Sequence, residues 1–370
     1  MQGWRMLFEA YDPVSKLEAA LYLYRIGFDV LPMPARLNFS HKWIAASVLQ
    51  KSIRRGNVSM AYKAGLSMMQ INPNSVWNRL RVIACEDIGI GDMRVVYETL
   101  YVSGKVKWRE RHGGHNHVLA YIIEMLCKAD KSRLADDILY TADVHADYHH
   151  QRMAYVDCSH DQLYDIILYQ SDRNIFERMI ALCYLHGTTI MRPQGMVEMK
   201  GQQHLVLDIF KQSGMPYCML EVVKLALPRT EGHALSLGLA LMMQASALNH
   251  HIIKDDFKTV TIGEWPAEAY DKHTREGKQA FKRFLYQCPN VLLFIQGRLP
   301  KVDPVTMVGW CVFALEAQIL DKRVTFDGSE DIRTKAQSAW LQCDGMTPQA
   351  QHELLKLMQS HMGTLNECRG

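Results

Sequence analysis

Residues 40–56 read SHKWIAASVLQKSIRRG, and this stretch carries the full grammar of a helix. Ser40 is a good N-cap, because its side-chain oxygen can accept an orphan amide of the first turn. Apolar Trp43, Ile44, Val48 and Leu49 fall on one stripe at helical spacing. Lys51, Arg54 and Arg55 gather in the last turn, where cations complement the helix dipole. Gly56 then stands where a left-handed stop is wanted. The spacing predicts a helix over 40–55.

The same pattern recurs in both directions. It predicts a helix over 15–26 ended by Gly27, with Leu31-Pro32-Met33-Pro34 as a linker. It predicts another over 58–69, then a turn at Asn72-Pro73-Asn74 with Ser75 capping a helix over 76–87 that Gly89 and Gly91 end. Further helices are expected over 93–101, 118–128, 132–142, 161–169, 175–186, 203–213, 218–225 and 233–249. After a loop at 263–266, one is expected over 268–286. Cys288-Pro289 breaks the pattern, and 290–297 reads as a short strand or a buried helical turn. Helices over 304–319, 332–341 and 347–362 follow, the last capped by Thr347 with Pro348 at its first position. Long alternating strands are absent. The expectation is an all-α, multi-helical chain. At roughly 150 residues per domain, 370 residues suggest about two packed helical lobes. Their expected limits are 1–130 and 131–370.

An apolar fraction of 48% with 22% charged residues excludes disordered, collagen-like and small disulfide-scaffold classes. The nine cysteines include no C-x-x-C, so neither a zinc ribbon nor a thioredoxin-type pair is readable. The opening MQGWRMLFEAYDP has no uninterrupted apolar run. The apolar segment 234–248 is interrupted by Ser236, Gln244 and Ser246 and is short for a span. A cytoplasmic protein with no membrane partner is expected.

Charge is unevenly spread. Val30 to Cys85 holds eight of the 42 Lys and Arg and none of the 39 Asp and Glu: Arg36, Lys42, Lys51, Arg54, Arg55, Lys63, Arg79 and Arg81. A positive surface attracts polyanions, because neutralised phosphates release counterions. The run therefore reads as a nucleic-acid surface, with docking against an acidic face of the fold as the alternative.

Within it, residues 43–92 read WIAASVLQKSIRRGNVSMAY and then RLRVIACEDIGIGD. This resembles the C-terminal helical region of MgsA/RarA-type, clamp-loader-like AAA+ ATPases. The matching positions are Lys51, Ser52, Arg54, Gly56, Ala61, Arg79, Leu80, Ala84, Glu86, Asp87, Ile88 and Gly89. The resemblance implies a helical oligomerisation collar and a DNA-fork context, over about 50 of the 370 residues. No G-x-x-x-x-G-K-[ST] occurs, so it does not extend to a P-loop domain or ATP hydrolysis.

Three polar stretches are candidates for chemistry. On the expected 268–286 helix, Asp271, Arg275 and Lys278 share a face, and His273 lies on a neighbouring stripe with Gly277. Gly277 accepts about 1 kcal/mol of helix penalty, which calls for close approach of a backbone or a ligand. Asp271, His273 and Lys278 are the catalytic candidates, with Asp87 in reserve. Residues 105–117 read as a loop marked by Gly113-Gly114; it carries Lys105, Lys107, Trp108, Arg109 and Arg111, and a ring among cations suits a single strand or flipped base. His145, Asp147, His149, His150, Asp157, Cys158, His160 and Asp161 form the third stretch, where His145 and His149 would share a metal if helical.

Elimination leads to a DNA-binding protein of replication, repair or phage-defence type. Without a P-loop or a carboxylate-rich metal cluster, base excision is the compatible chemistry. Asp271 would stabilise a sugar cation, or Lys278 would form an imine. Lys51, Arg54, Arg55, Lys105, Lys107, Trp108, Arg109, Arg111 and Arg275 would contact DNA. Neither cofactor nor metal is expected. Two alternatives stand beside this: a non-catalytic clamp-loader-like module that oligomerises or docks on replication or defence partners, and a metal-dependent hydrolase built on 145–161.

Overall fold

The computed structural model describes residues 12–27, 42–170, 172–228, 230, 232–247, 249–316, 319–343 and 346–370. Of these described residues 72% are helical and 4% strand, which establishes the all-α class. Ser40, Arg36 and the 31–34 linker lie outside the described residues.

Local side-chain chemistry starts most helices. Helix α1 (Pro13–Gly27) begins where the Asp12 carboxylate accepts the amides of Val14 and Ser15. Helices α2 (Lys42–Arg54) and α3 (Val58–Ile71) form a hairpin. Gly56 turns it at φ +68°, and Asn57 accepts the Met60 amide at 3.1 Å. Helix α4 (Pro73–Ile83) starts earlier than Ser75, because Asn72 caps it by accepting the amides of Asn74 and Ser75. It runs into a π-helical turn, Ala84–Ile88. Asp92 caps α5 (Met93–Ser103). The expected 105–117 loop contains a further helix, α6 (Val106–Arg111), followed by α7 (His115–Lys128) and α8 (Leu134–Val144). Short α9 (His149–Ala154) precedes α10 (His160–Leu168), α11 (Ile175–His186), α12 (Gln203–Gln212), α13 (Tyr217–Ala226) and α14 (His233–Ser246). Capping boxes Ser159/Gln162 and Asn174/Glu177 open α10 and α11.

Strand β1 (His250–Ile253) follows, then the β2 (Thr261–Ile262) and β3 (Trp265–Pro266) pair. Helix α15 (Arg275–Gln287) starts seven residues later than the expected 268. Asp271 and Thr274 hydrogen-bond the backbone locally, and such residues favour turns and caps over helix interiors. Pro289 opens α16 (Pro289–Arg298), which settles the strand-or-helix alternative there in favour of helix. Helix α17 (Pro304–Glu316), strand β4 (Arg323–Phe326), α18 (Ser329–Trp340), α19 (Pro348–Ser360) and α20 (Met362–Arg369) complete the chain. Strand β4 pairs antiparallel with β1, placing Phe326 opposite His250.

The chain forms two compact units, each assembled from separated segments. Unit 1 takes residues 1–30, 77–253 and 322–339; unit 2 takes 31–76, 254–321 and 340–370. A single cut at 130 therefore does not separate them. The core of unit 1 centres on α11 and α14. Ile180, Ala181, Leu182, Cys183 and Leu185 are fully buried, as are Leu235, Leu237, Leu239 and Ala240. The core of unit 2 joins Phe281 and Phe284 to Val291, Ile295, Val308, Cys311, Leu354, Met358 and Leu365. Trp43, expected on the buried stripe of α2, is instead 53% exposed, while Ile44, Val48 and Leu49 are buried. Among the described residues, no helix is long and apolar enough to cross a membrane.

Candidate functional site

The 271–278 stretch does not present one polar face. Asp271 sits in the turn before α15, and its carboxylate is closed in by donors. Lys51 Nζ reaches Oδ2 at 2.9 Å, the Ser47 hydroxyl at 3.0 Å, and the His273 amide reaches Oδ1 at 2.9 Å. Burial alone would raise the Asp271 pKa. The Lys51 ammonium beside it, helped by His273, holds it at about 2. Thr274 donates to the Asp271 carbonyl and caps α15 by accepting the Gly277 amide. A Cβ on Gly277 would lie 2.1 Å from that same carbonyl. The helix penalty at Gly277 thus answers a close backbone, as one of its two expected causes required. His273, Arg275 and Lys278 are solvent-exposed. Asp271 shares no face with Arg275 or Lys278, which corrects the reading of a joint catalytic cluster.

The expected phosphate contacts of α2 are also inside. Lys51 is 6% exposed and Arg54 2%. Arg55 Nε lies 3.6 Å from Glu268, and its guanidinium lies 4.5 Å from the Phe257 ring centroid. Nearby, Arg369 grips Glu316 with both amino nitrogens, at 2.9 and 2.8 Å. Burial pushes the Glu268 carboxyl up and the Arg55 guanidinium down, each opposed by the other's charge. Acids that 30–85 lacks are thus supplied to Lys51 and Arg55 from 268–271. For these cations, docking within the fold replaces the nucleic-acid surface.

Residues 105–111 separate by depth. Trp108 is buried; its indole donates to Glu18 at 3.1 Å and stacks on His112 at 4.0 Å. Arg109 is 2% exposed, donates to the Ser103 carbonyl and lies 4.3 Å over Trp77. Neither can meet a base from there. Lys105, Lys107 and Arg111 are exposed. In the 145–161 stretch, His145 ends α8 and bonds the Ser338 hydroxyl at 3.0 Å, whereas His149 begins α9. They do not share a helical face, so the condition for a metal pair there is not met.

Asp87, the reserve carboxylate, is fully buried on the π-helical turn and pairs with Arg133. Arg133 also meets Glu86 at 2.8 Å, as well as Asp136. Burial disfavours the Arg133 charge, but Asp136, Glu86 and Asp87 outweigh it and raise its pKa. Half-buried beside them stands His233. Its Nδ1 donates to the Thr230 carbonyl at 2.7 Å, and its Nε2 lies 3.5 Å from Asp136 Oδ1. Burial opposes the imidazolium, yet the Asp136 carboxylate, aided by Glu86, pushes its pKa up to about 9. Arg133, Asp136 and His233 escape sequence reasoning; only the Glu86-Asp87 doublet signals this place.

The remaining candidate is the outer face of α15. Its inner side buries Gly277, Ala280, Phe281, Phe284 and Leu285. Its outer side carries Arg275, Lys278, Lys282 and Tyr286, the last 88% exposed. Spacings of three, four and four residues keep these four on one stripe. Among the described residues, no acidic group lies within salt-bridge distance of Arg275, Lys278 or Lys282, although the charge of Lys282 acts on Asp303.

No family model, curated protein or solved structure matches this chain. Function is therefore read from the arrangement of side chains. Residues 43–92 fall in both units, 43–76 in unit 2 and 77–92 in unit 1.

Proposed function

We propose that the protein binds DNA, and that the outer face of α15 is its contact surface in unit 2. One observation carries this reading: three exposed cations, with no salt bridge among the described residues, in line with a highly exposed tyrosine. Cations spaced along a helix meet successive phosphates, and an exposed ring offers a face on which a base stacks. The resemblance of 43–92 to a collar of fork-acting proteins supports a replication, repair or phage-defence setting. The carboxylate route to base excision does not follow from it, because Asp271 and Asp87 are buried and paired with Lys51 and Arg133, where neither can approach a sugar; the imine route through exposed Lys278 is untouched by this.

The test is fluorescence anisotropy of labelled single-stranded and duplex DNA at several salt concentrations. The expected result is binding whose logarithmic affinity falls steeply and linearly with the logarithm of salt. Binding absent even at low salt overturns the reading. A second reading, the non-catalytic collar, is favoured by burial of the matching residues Lys51, Arg54, Leu80, Ala84, Asp87 and Ile88 in packed cores. Light scattering separates it: a collar is an oligomer, and a monomer at micromolar concentration excludes it.

A further inference from the structure

We infer that Glu86, Asp136 and His233 form a binding site for a divalent first-row metal ion in unit 1. A carboxylate oxygen of Glu86, one of Asp136 and a ring nitrogen of His233 all lie within 4.8 Å of one another. The three residues are half-buried, so none of them is sealed from solvent. Mixed imidazole and carboxylate donors suit zinc, cobalt and manganese, whereas thiolates would be needed to favour softer ions.

The orientation of His233 points to a ligand. A backbone carbonyl only accepts, so the 2.7 Å contact to Thr230 fixes the proton on Nδ1. Nε2, which faces Asp136 Oδ1 at 3.5 Å, is then the nitrogen left to bind an ion once its own proton is displaced. An imidazole tied from behind by a carbonyl or carboxylate is the usual support of a metal-bound histidine. Distances agree as well. Two donors each about 2.1 Å from a tetrahedral ion lie about 3.4 Å apart. His233 Nε2 and Asp136 Oδ1 are separated by 3.5 Å.

The two carboxylates are already held in place. Arg133 binds Glu86 through one amino nitrogen and Asp136 through the other, which fixes both side chains ahead of any ion. Glu86 stands on the π-helical turn Ala84–Ile88, a distortion that recurs at functional sites. Three protein donors leave at least one position on the ion for water or an anionic oxygen. Binding displaces the second imidazole proton, which goes to solvent. The site lies in unit 1, and the proposed DNA surface in unit 2.

The test uses the full chain, stripped with chelator and titrated with Co²⁺ alone, then with Zn²⁺ in competition. The expected result is one Co²⁺ per chain with a visible ligand-field band that Zn²⁺ abolishes. His233→Ala should remove the band, and Glu86→Gln should weaken binding at least about tenfold, with parental far-ultraviolet circular dichroism in both. Either variant that stays folded is sufficient. No Co²⁺ binding by the parent, an unchanged band in a folded His233→Ala variant, or a thiolate-to-cobalt charge-transfer band overturns the site.

Discussion

Replacing Lys51 with Met would leave the Asp271 carboxylate buried without its ammonium partner. Removing one member of a buried pair costs about 3–5 kcal/mol, because the remaining charge stays desolvated. Asp271 provides a separate figure. Its pKa falls from 3.8 to about 2, which corresponds to about 2 kcal/mol of stability at neutral pH. The sign follows from the direction of the shift. A depressed carboxyl contributes fully above pH 4, and the contribution disappears as pH falls from 4 toward 2. Lys51→Met should therefore destabilise the chain by at least about 2 kcal/mol at pH 7, and by less near pH 2. Urea unfolding followed by tryptophan fluorescence measures this. Asp271→Asn should also destabilise, and Lys51→Met with Asp271→Asn should cost less than the two single effects added. A cost below about 1 kcal/mol would be the behaviour of an exposed pair. If it came with weakened DNA binding, Lys51 would be a surface contact after all.

Two further outcomes rest on packing. Gly277→Ala should destabilise by about 1–3 kcal/mol despite better helix propensity, because the new Cβ meets the Asp271 carbonyl at 2.1 Å. Gly297→Ala meets nothing within 4 Å and should stabilise α16 by up to about 1 kcal/mol, so thermal melts of the two variants should move in opposite directions. Cys85 and Cys311 are buried with thiol pKa values pushed upward by desolvation, to about 12 for Cys85. Mass spectrometry after brief alkylation should find both unmodified while half-buried Cys158, Cys218 and Cys343 react. Early labelling of Cys85 would show that its core opens.

Elements whose ends are chosen by neighbouring residues are legible in the sequence. Helix α11 starts and stops at the expected residues, because the Asn174/Glu177 box and Gly187 are local signals. Thr347 caps α19 for the same reason. Features joined across the chain are not legible. The start of α15 depends on Asp271 turning toward Lys51, which is 220 residues away. Helix α6 sits in a stretch that reads as a polar loop, because burial of Trp108 against Glu18 and His112 is a tertiary event. The acid-free run reads as an outer surface, since the sequence does not say that 268–271 supplies its acids. The Glu86, Asp136 and His233 group is assembled from three distant segments, each ordinary by itself. The alignment of Arg275 and Lys278 with Lys282 and Tyr286 is readable from their spacing in the expected helix, but that this stripe faces outward follows only from what α15 buries on its other side.

Contact between DNA and the outer face of α15 is tested most directly by the salt dependence of binding for the parent and for the variant Arg275→Gln, Lys278→Gln, Lys282→Gln. All three side chains are exposed, so the fold should be unaffected. If α15 is the DNA surface, affinity at low salt should fall at least about tenfold, with a slope flatter by up to about 0.9 for each duplex phosphate the variant no longer neutralises. Parental affinity and parental slope in the folded triple variant would contradict it.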